Sequence, residues 1–460
     1  MRNRALLLPL WVLICPFMLR AQEKAASLPD APPLQDLLQL VGPGSNTPAS
    51  SVGEALTRQQ AEQLALKNNP RISVAVLLAL AQKQVVRETR SGLLPALNGN
   101  LTGVDAAEGS RISAGSLTAS RLLYHAGAGL DLSQLITDFG HTRNLVASSK
   151  LQAKASEQNA QATREDIVLA ADLAFYNTLE AQATLEVAES TVKARQAVGD
   201  QVDALTANNL KSTLDQSFAQ VNLSQAKLLD LDSQNQFDAA MANLGEVLGT
   251  TTEQNYHLVD DASLPSPASA SAEAVIALAL QQRPDLLALK LNHEADVRFS
   301  RAQRELLLPT VSGLGVTGVS PVGSSTYFTQ KWYGAAGINV GIPIFNGFKF
   351  HAEATEAGLH AQASDEQSRV LVDRIVRDVR TAWLTANSAQ QRMGVTAELV
   401  QEANTALDLA DTRYRLGLSS IVELSQAQLQ QTQAQIADAN ARFEHEADLA
   451  ALRFQSGSQP

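Results

Sequence analysis

The sequence states one pattern twice, and that duplication limits what the chain can build. Asn69-Pro70-Arg71 followed by Leu93-Leu94-Pro95-Ala96-Leu97-Asn98-Gly99 returns as Arg283-Pro284-Asp285 followed by Leu307-Leu308-Pro309-Thr310-Val311-Ser312-Gly313. Pro70 to Pro284, Pro95 to Pro309 and Gly99 to Gly313 share one step of roughly 214 residues, which makes the match a register. Further on, Asp138-Phe139-Gly140 answers to Phe345-Asn346-Gly347, and Ala174-Phe175-Tyr176 to Ala382-Trp383-Leu384, at a shift of about 207 to 208. The 460 residues therefore read as a tandem helix-strand-strand-helix unit rather than as two or three unrelated domains.

Composition narrows the helices and the partners. Hydrophobic residues make up 45% of the chain but aromatics only 5%, so the apolar share is mostly Ala, Leu and Val, which favours long, thin helix packing. A net charge of -11 and a pI near 5.2, with no clustered Lys/Arg run, argue against nucleic acid as a partner. Residues 1–21 read as a secretory signal: Arg2 and Arg4 precede the apolar stretch Ala5 to Leu19. The single cysteine, Cys15, lies inside that segment, and Ile14 before it is unlike the small residue that lipid attachment needs.

Residues 22–50 form a Pro- and Ser-rich lead-in. The first repeat then occupies 51–250, a linker 251–270, the second repeat 271–456 and a tail 457–460. Ser51 with Glu54 has the capping-box pattern and predicts a helix running to about Ser91; its counterpart runs from Ser271 to about Leu307. Period-two stretches predict strands over about 97–105, 126–135, 311–319 and 333–342. Ala128, Leu130 and Leu132 alternate with Gly127, Gly129, Asp131 and Ser133, as Ile338, Val340 and Ile342 do with Gly337, Asn339 and Gly341. Lipid on one side and water on the other selects that alternation.

Helical spacing resumes from Arg143 to about Ala207 and from about Phe350 to Leu416, rods of about 100 Å each at 1.5 Å per residue. Helices from Thr213 to about Leu248 and from Ser419 to about Phe454 complete the two units. No apolar run long enough for a membrane helix follows the signal, so a membrane span must be made of strands. Tyr124, Tyr327, Phe328, Trp332 and Tyr333 at one end of the strands, with Phe139, Phe345, Phe348 and Phe350 at the other, fit two interfacial girdles. The stretches Ala106 to Leu123 and Ser320 to Lys331 are the expected outward loops.

The passages Gly341-Ile342-Pro343-Ile344-Phe345-Asn346-Gly347 and Arg413-Tyr414-Arg415-Leu416-Gly417-Leu418-Ser419-Ser420-Ile421-Val422-Glu423-Leu424-Ser425-Gln426-Ala427-Gln428 resemble the strand exit and the helical tip of the outer membrane efflux protein family, of the TolC type. The resemblance extends over about Ser51 to Phe454. It implies a mainly α fold with a membrane β-barrel. Three chains give a 12-stranded barrel in the outer membrane, continued by a long periplasmic α-helical barrel. It also implies a passive exit duct for efflux or type I secretion that docks with a periplasmic adaptor and an inner-membrane transporter, with no cofactor.

Gly140, Pro343 and Gly347 are the expected strand-to-helix turns. At the far end, Gly417 and, at a shift of about 208, Asn209 suit left-handed turns between helices. Asn208, Asn209, Leu210, Lys211 and Ser212, with Leu416, Gly417, Leu418, Ser419 and Ser420, would form exposed tips, where the resemblance puts the adaptor. Glu423 and Asp215 match at the same shift, and the resemblance implies acidic residues at a pore constriction there. Gln426 stands where some members carry a second acid.

An enzyme reading fails on its motifs. His293-Glu294 and His445-Glu446 open like a zinc-protease signature but lack the second histidine, and there is no phosphate loop or nucleophile elbow. A periplasmic coiled-coil adaptor or scaffold is the stronger rival. It calls for one helical hairpin, whereas this pattern has two.

Overall fold

The computed structural model describes residues 55–104, 111–112, 120–121, 125–250, 256–260, 271–319 and 332–457. The signal, the lead-in, the Ser51–Glu54 box, most of the linker, Tyr124, Tyr327, Phe328 and most of the two outward loops lie outside them. The chain divides into residues 1–50 and 51–460, and only the second unit is described here.

Its helices come in pairs of equal length. α1 (Arg58–Asn68) answers to α5 (Ala272–Gln282) and α2 (Pro70–Ser91) to α6 (Pro284–Glu305), an offset of 214. α3 (His141–Ala207) answers to α7 (Lys349–Arg415) and α4 (Thr213–Leu248) to α8 (Ile421–Ser456), an offset of 208. Among the described residues no helix is long and apolar enough to cross a membrane.

Two sequence expectations are corrected. The first helix of each unit is two helices, because Asn69 and Arg283 each precede a proline and adopt extended backbone, ψ 120 and 121°. The proline ring disfavours helical geometry in the residue before it, and proline itself suits the first helical position. The start is displaced as well: Thr57 caps α1 in a capping box with Gln60. Asn69 then turns the break to use, accepting from Arg71 N at 3.0 Å and donating to the Val247 carbonyl at 3.0 Å. The second correction is one residue of alignment at the strand exits. The left-handed pairs are Phe139-Gly140 and Gly347-Phe348, so Gly140 answers to Phe348 rather than to Gly347.

Four long strands, β2 (Ala96–Val104), β5 (His125–Thr137), β7 (Thr310–Val319) and β8 (Trp332–Gly341), form one antiparallel sheet in that order. Within the first outward loop β3 (Arg111–Ile112) pairs with β4 (Ser120–Arg121), and β1 (Ala55–Leu56) pairs in parallel with β6 (His257–Leu258) from the linker. Opposed residues share a face in an antiparallel ladder. The register puts Leu97, Leu101, Leu130, Leu132, Val319, Trp332, Ile338 and Val340 on one side, and on the other, mainly polar and small side, Asn98, Asn100, Asp131, Ser133, Ser312 and Asn339 together with Leu135, Leu314 and Val316. The apolar side is open: Leu101 is 88% exposed.

The main core gathers where the short helices dock on the rods. Phe175, Ile167, Leu244, Leu248, Leu286, Ile375, Val379, Leu449 and Leu452 are buried there. Gly249 and Gly457, both with φ near +70°, end α4 and α8 against Asn68 and Arg283. A Cβ on Gly249 would meet the Asn68 backbone at 2.9 Å, and one on Gly457 the Arg283 nitrogen at 3.1 Å. Only glycine fits that approach, and the two sites again differ by 208. A second cluster of Val202, Ala219, Tyr414, Ile421 and Leu424 sits near the helical tips.

Candidate functional site

Three places carry the candidate residues: the helical tips, the strand exits and the sheet. At the tips both rods end the same way. Asn209 (φ 58°) and Gly417 (φ 72°) are left-handed. The amides of the following residues reach back, Leu210 N to Leu205 O at 2.9 Å and Leu418 N to Arg413 O at 2.8 Å, which is the Schellman closure. Leu210, Leu416 and Leu418 are exposed, about two-thirds of each being open to solvent. Asn208 donates back to Ala204 O at 2.8 Å. Ser212 and Ser420 cap the returning helices.

Asp215 and Glu423 occupy equivalent third positions in those helices and use their carboxylates differently. Asp215 is tied into a capping box, accepting from Ser212 N at 3.1 Å and Ser212 Oγ at 2.8 Å. Glu423 Oε1 instead pairs with Arg413 Nε across the hairpin at 3.0 Å. Its charge is therefore offset within its own chain. Gln426 is exposed one turn further on.

Sequence reasoning missed what joins the two hairpins. Lys211 Nζ stands 4.1 Å from the centre of the Tyr414 ring, and Asn222 Nδ2 donates to Ser425 Oγ at 2.6 Å. Tyr414 is buried and its hydroxyl has no partner among the described residues; burial, with the Asp215 carboxylate, raises its pKa. Ser419 Oγ is likewise buried and unpartnered. Further up the first rod Arg195 is only 8% exposed and makes no hydrogen bond or ion pair among the described residues. Desolvation lowers its pKa to about 10. Its counterpart at the 208 offset is the buried Ala403, so the seam holds a cation in one unit where the other holds a methyl group. Nothing in the spacing marks Arg195, because it falls on the apolar stripe.

At the strand exits Asp138 does the capping that Gly140 cannot. It accepts from Thr142 N at 2.7 Å and Gly140 N at 3.2 Å. A side chain on Gly140 would strike Glu305, whose carboxylate is held by Asn144 Nδ2 at 2.9 Å to each oxygen. In the second unit Pro343 lies in irregular backbone after β8, and Phe345 packs edge-on against Phe348 at 5.6 Å. Both rings are exposed, as is Phe139.

The packing order leaves matched edges free. Near the sheet the helices follow α2-α3-α6-α7, and toward the tips α4-α3-α8-α7. The strand order begins at β2 and ends at β8. α4 carries an exposed stripe of Leu214, Phe218, Val221, Leu228 and Leu231, and α7 exposes Val395, Leu399 and Leu409. Among the described residues there is no cluster of His, Cys, Asp and Glu able to hold a metal ion.

A duplicated array of rods on a sheet that is apolar on one side and polar on the other defines a membrane-channel class of protein. Residues 61–250 and 275–458 match the family model "Outer membrane efflux protein", and the chain belongs to that family. It is 23% identical over 415 residues to outer membrane protein TolC of Escherichia coli, covering 86% of this chain and 81% of that one. It is also 23% identical to outer membrane protein OprJ of Pseudomonas aeruginosa, over 79% of this chain and 76% of the other. Among solved structures, CusC superposes with a TM-score of 0.77 at 19% identity, covering 90% of this chain and 96% of that one. The CmeC outer membrane channel of Campylobacter jejuni gives 0.77 at 18% identity, covering 91% of each. The protein is an outer-membrane, TolC-like efflux channel component.

Proposed function

We propose that three copies close edge to edge, β2 of one beside β8 of the next, into a 12-stranded outer-membrane barrel continued by a periplasmic α-helical barrel. The duct is passive and has no cofactor. Its tips, around Leu210, Lys211, Leu416 and Leu418, dock with a periplasmic adaptor, and an inner-membrane transporter supplies the energy. Glu423, Gln426 and Asp215 then stand at the periplasmic constriction, and Gly140, Pro343 and Gly347 turn the barrel wall into the rods.

The observation that carries this reading is that the sheet and both helical layers are open along the same two edges. An open strand edge in lipid leaves backbone groups unpaired at several kcal/mol each, so closure by further copies is the stable state. The test is the native mass of the protein extracted in mild detergent from the outer-membrane fraction. A trimer supports the duct; a soluble periplasmic monomer removes it in favour of a coiled-coil scaffold.

A further inference from the structure

The polar side of the sheet carries one acid. Among the described residues on that face, Asp131 is the single carboxylate, and neither lysine nor arginine shares the face with it. Its two oxygens accept from Asn98 Nδ2 at 2.9 Å and from Asn100 Nδ2, which fixes the orientation of the carboxylate on the sheet. No cation pairs with it among the described residues, in contrast to Glu423, which Arg413 offsets. Two residues outward on the same face, about 7 Å along the strand, the hydroxyl end of Tyr333 lies over Gly129 and Gly318, 2.5 and 2.6 Å from where their Cβ atoms would stand. The face therefore presents a carboxylate and, beside it, an aromatic ring lying over glycines.

We propose that Asp131 sets the charge preference of the lumen where it passes through the sheet, favouring cations and disfavouring anions. This rests on the trimeric duct reading, in which the polar face lines the bore and three Asp131 carboxylates face one aqueous path. The low-dielectric wall focuses their field on that path. The compensated Glu423 contributes less.

The experiment is the reversal potential of single channels of the full-length protein in a planar bilayer under a KCl gradient at low salt, where the Debye length reaches about 30 Å. Asp131→Asn and Asp131→Ser should each lower the K⁺-to-Cl⁻ permeability ratio by about twofold or more. Asp131→Glu should retain it, and Glu423→Gln should change it less. Conducting Asp131→Asn and Asp131→Ser channels with the wild-type ratio overturn the inference while leaving the duct standing. Failure of both variants to assemble, with Asp131→Glu intact, also overturns it and assigns the carboxylate a structural role. A wild-type trimer that does not conduct overturns the duct reading itself and this inference with it.

Discussion

At the scale of single residues, the sequence shows which groups are acidic or basic but not which of them meet. Glu423 was legible as a tip acid by its offset from Asp215, yet its pairing with Arg413 depends on how a helix hairpin brings two turns together. Arg195 was hidden for a similar reason, since a long side chain on an apolar stripe reads as surface until both flanking helices cover it. A buried cation without a partner costs more than an apolar side chain of like volume. Arg195→Met is therefore expected to raise the denaturant midpoint, by an amount equivalent to about 1–3 kcal/mol. A lowered midpoint would mean that the guanidinium finds a carboxylate in the assembled protein. Asp172 gives a pH signature. Burial and then the Glu62 carboxylate raise its pKa from 3.8 to about 7, with Arg58 opposing at 3.5 Å. A carboxyl raised in the folded state stabilises the fold most below its unfolded value, and that contribution is lost as pH rises through 7. The helical circular-dichroism midpoint in guanidinium should fall between pH 4 and 8, and Asp172→Asn should flatten the fall. An equal fall in the variant would assign the pH dependence to other groups.

At the scale of elements, the two rods and the helices that return from them lie within a few residues of the spans that periodicity predicts. The rods and strands are long runs of a single period, and such runs outvote local noise. The first helix of each unit was misread because apolar spacing continues across Asn69-Pro70 and Arg283-Pro284, while the backbone there must extend. The duplicated glycines at 249 and 457 escaped notice because their role lies in what they touch. Gly249, Gly417 and Gly457 share φ near +70°, but only Gly417 has open space around the missing side chain. Gly417→Ala therefore meets backbone strain alone, of the order of 1 kcal/mol. Gly249→Ala adds a collision with the Asn68 backbone and should destabilise by clearly more, about 2–4 kcal/mol, with Gly457→Ala between the two. Equal losses in urea midpoints across the three would show that the α1 and α5 docking sites yield freely.

At the scale of the whole molecule, the duplication was readable because each copy repeats the same order of elements, whereas the means of closing the structure was not. Sequence alternation marked the apolar side of β5 and β8; it could not say that α2 and α4 share an edge with β2. That edge follows from α3 lying between α4 and α8. The stripe Leu214, Phe218, Val221, Leu228 and Leu231 recurs at three to four residues along α4, with one interval of seven, as a helix seam requires. In a lone chain it would be an exposed apolar strip, and packing it against α7 of a neighbouring copy removes it from water at about 25 cal/mol per Å². Replacing Phe218 and Leu228 with Glu puts two charges into that seam in every copy. Because both side chains are exposed within one chain, the fold of the chain should survive and its far-UV circular dichroism should be unchanged. The trimer expected in detergent should shift to monomer over at least a tenfold range of protein concentration. A double variant that keeps the native trimer mass would move the subunit contact away from α4 and leave the sheet edges, β2 and β8, to hold the assembly alone.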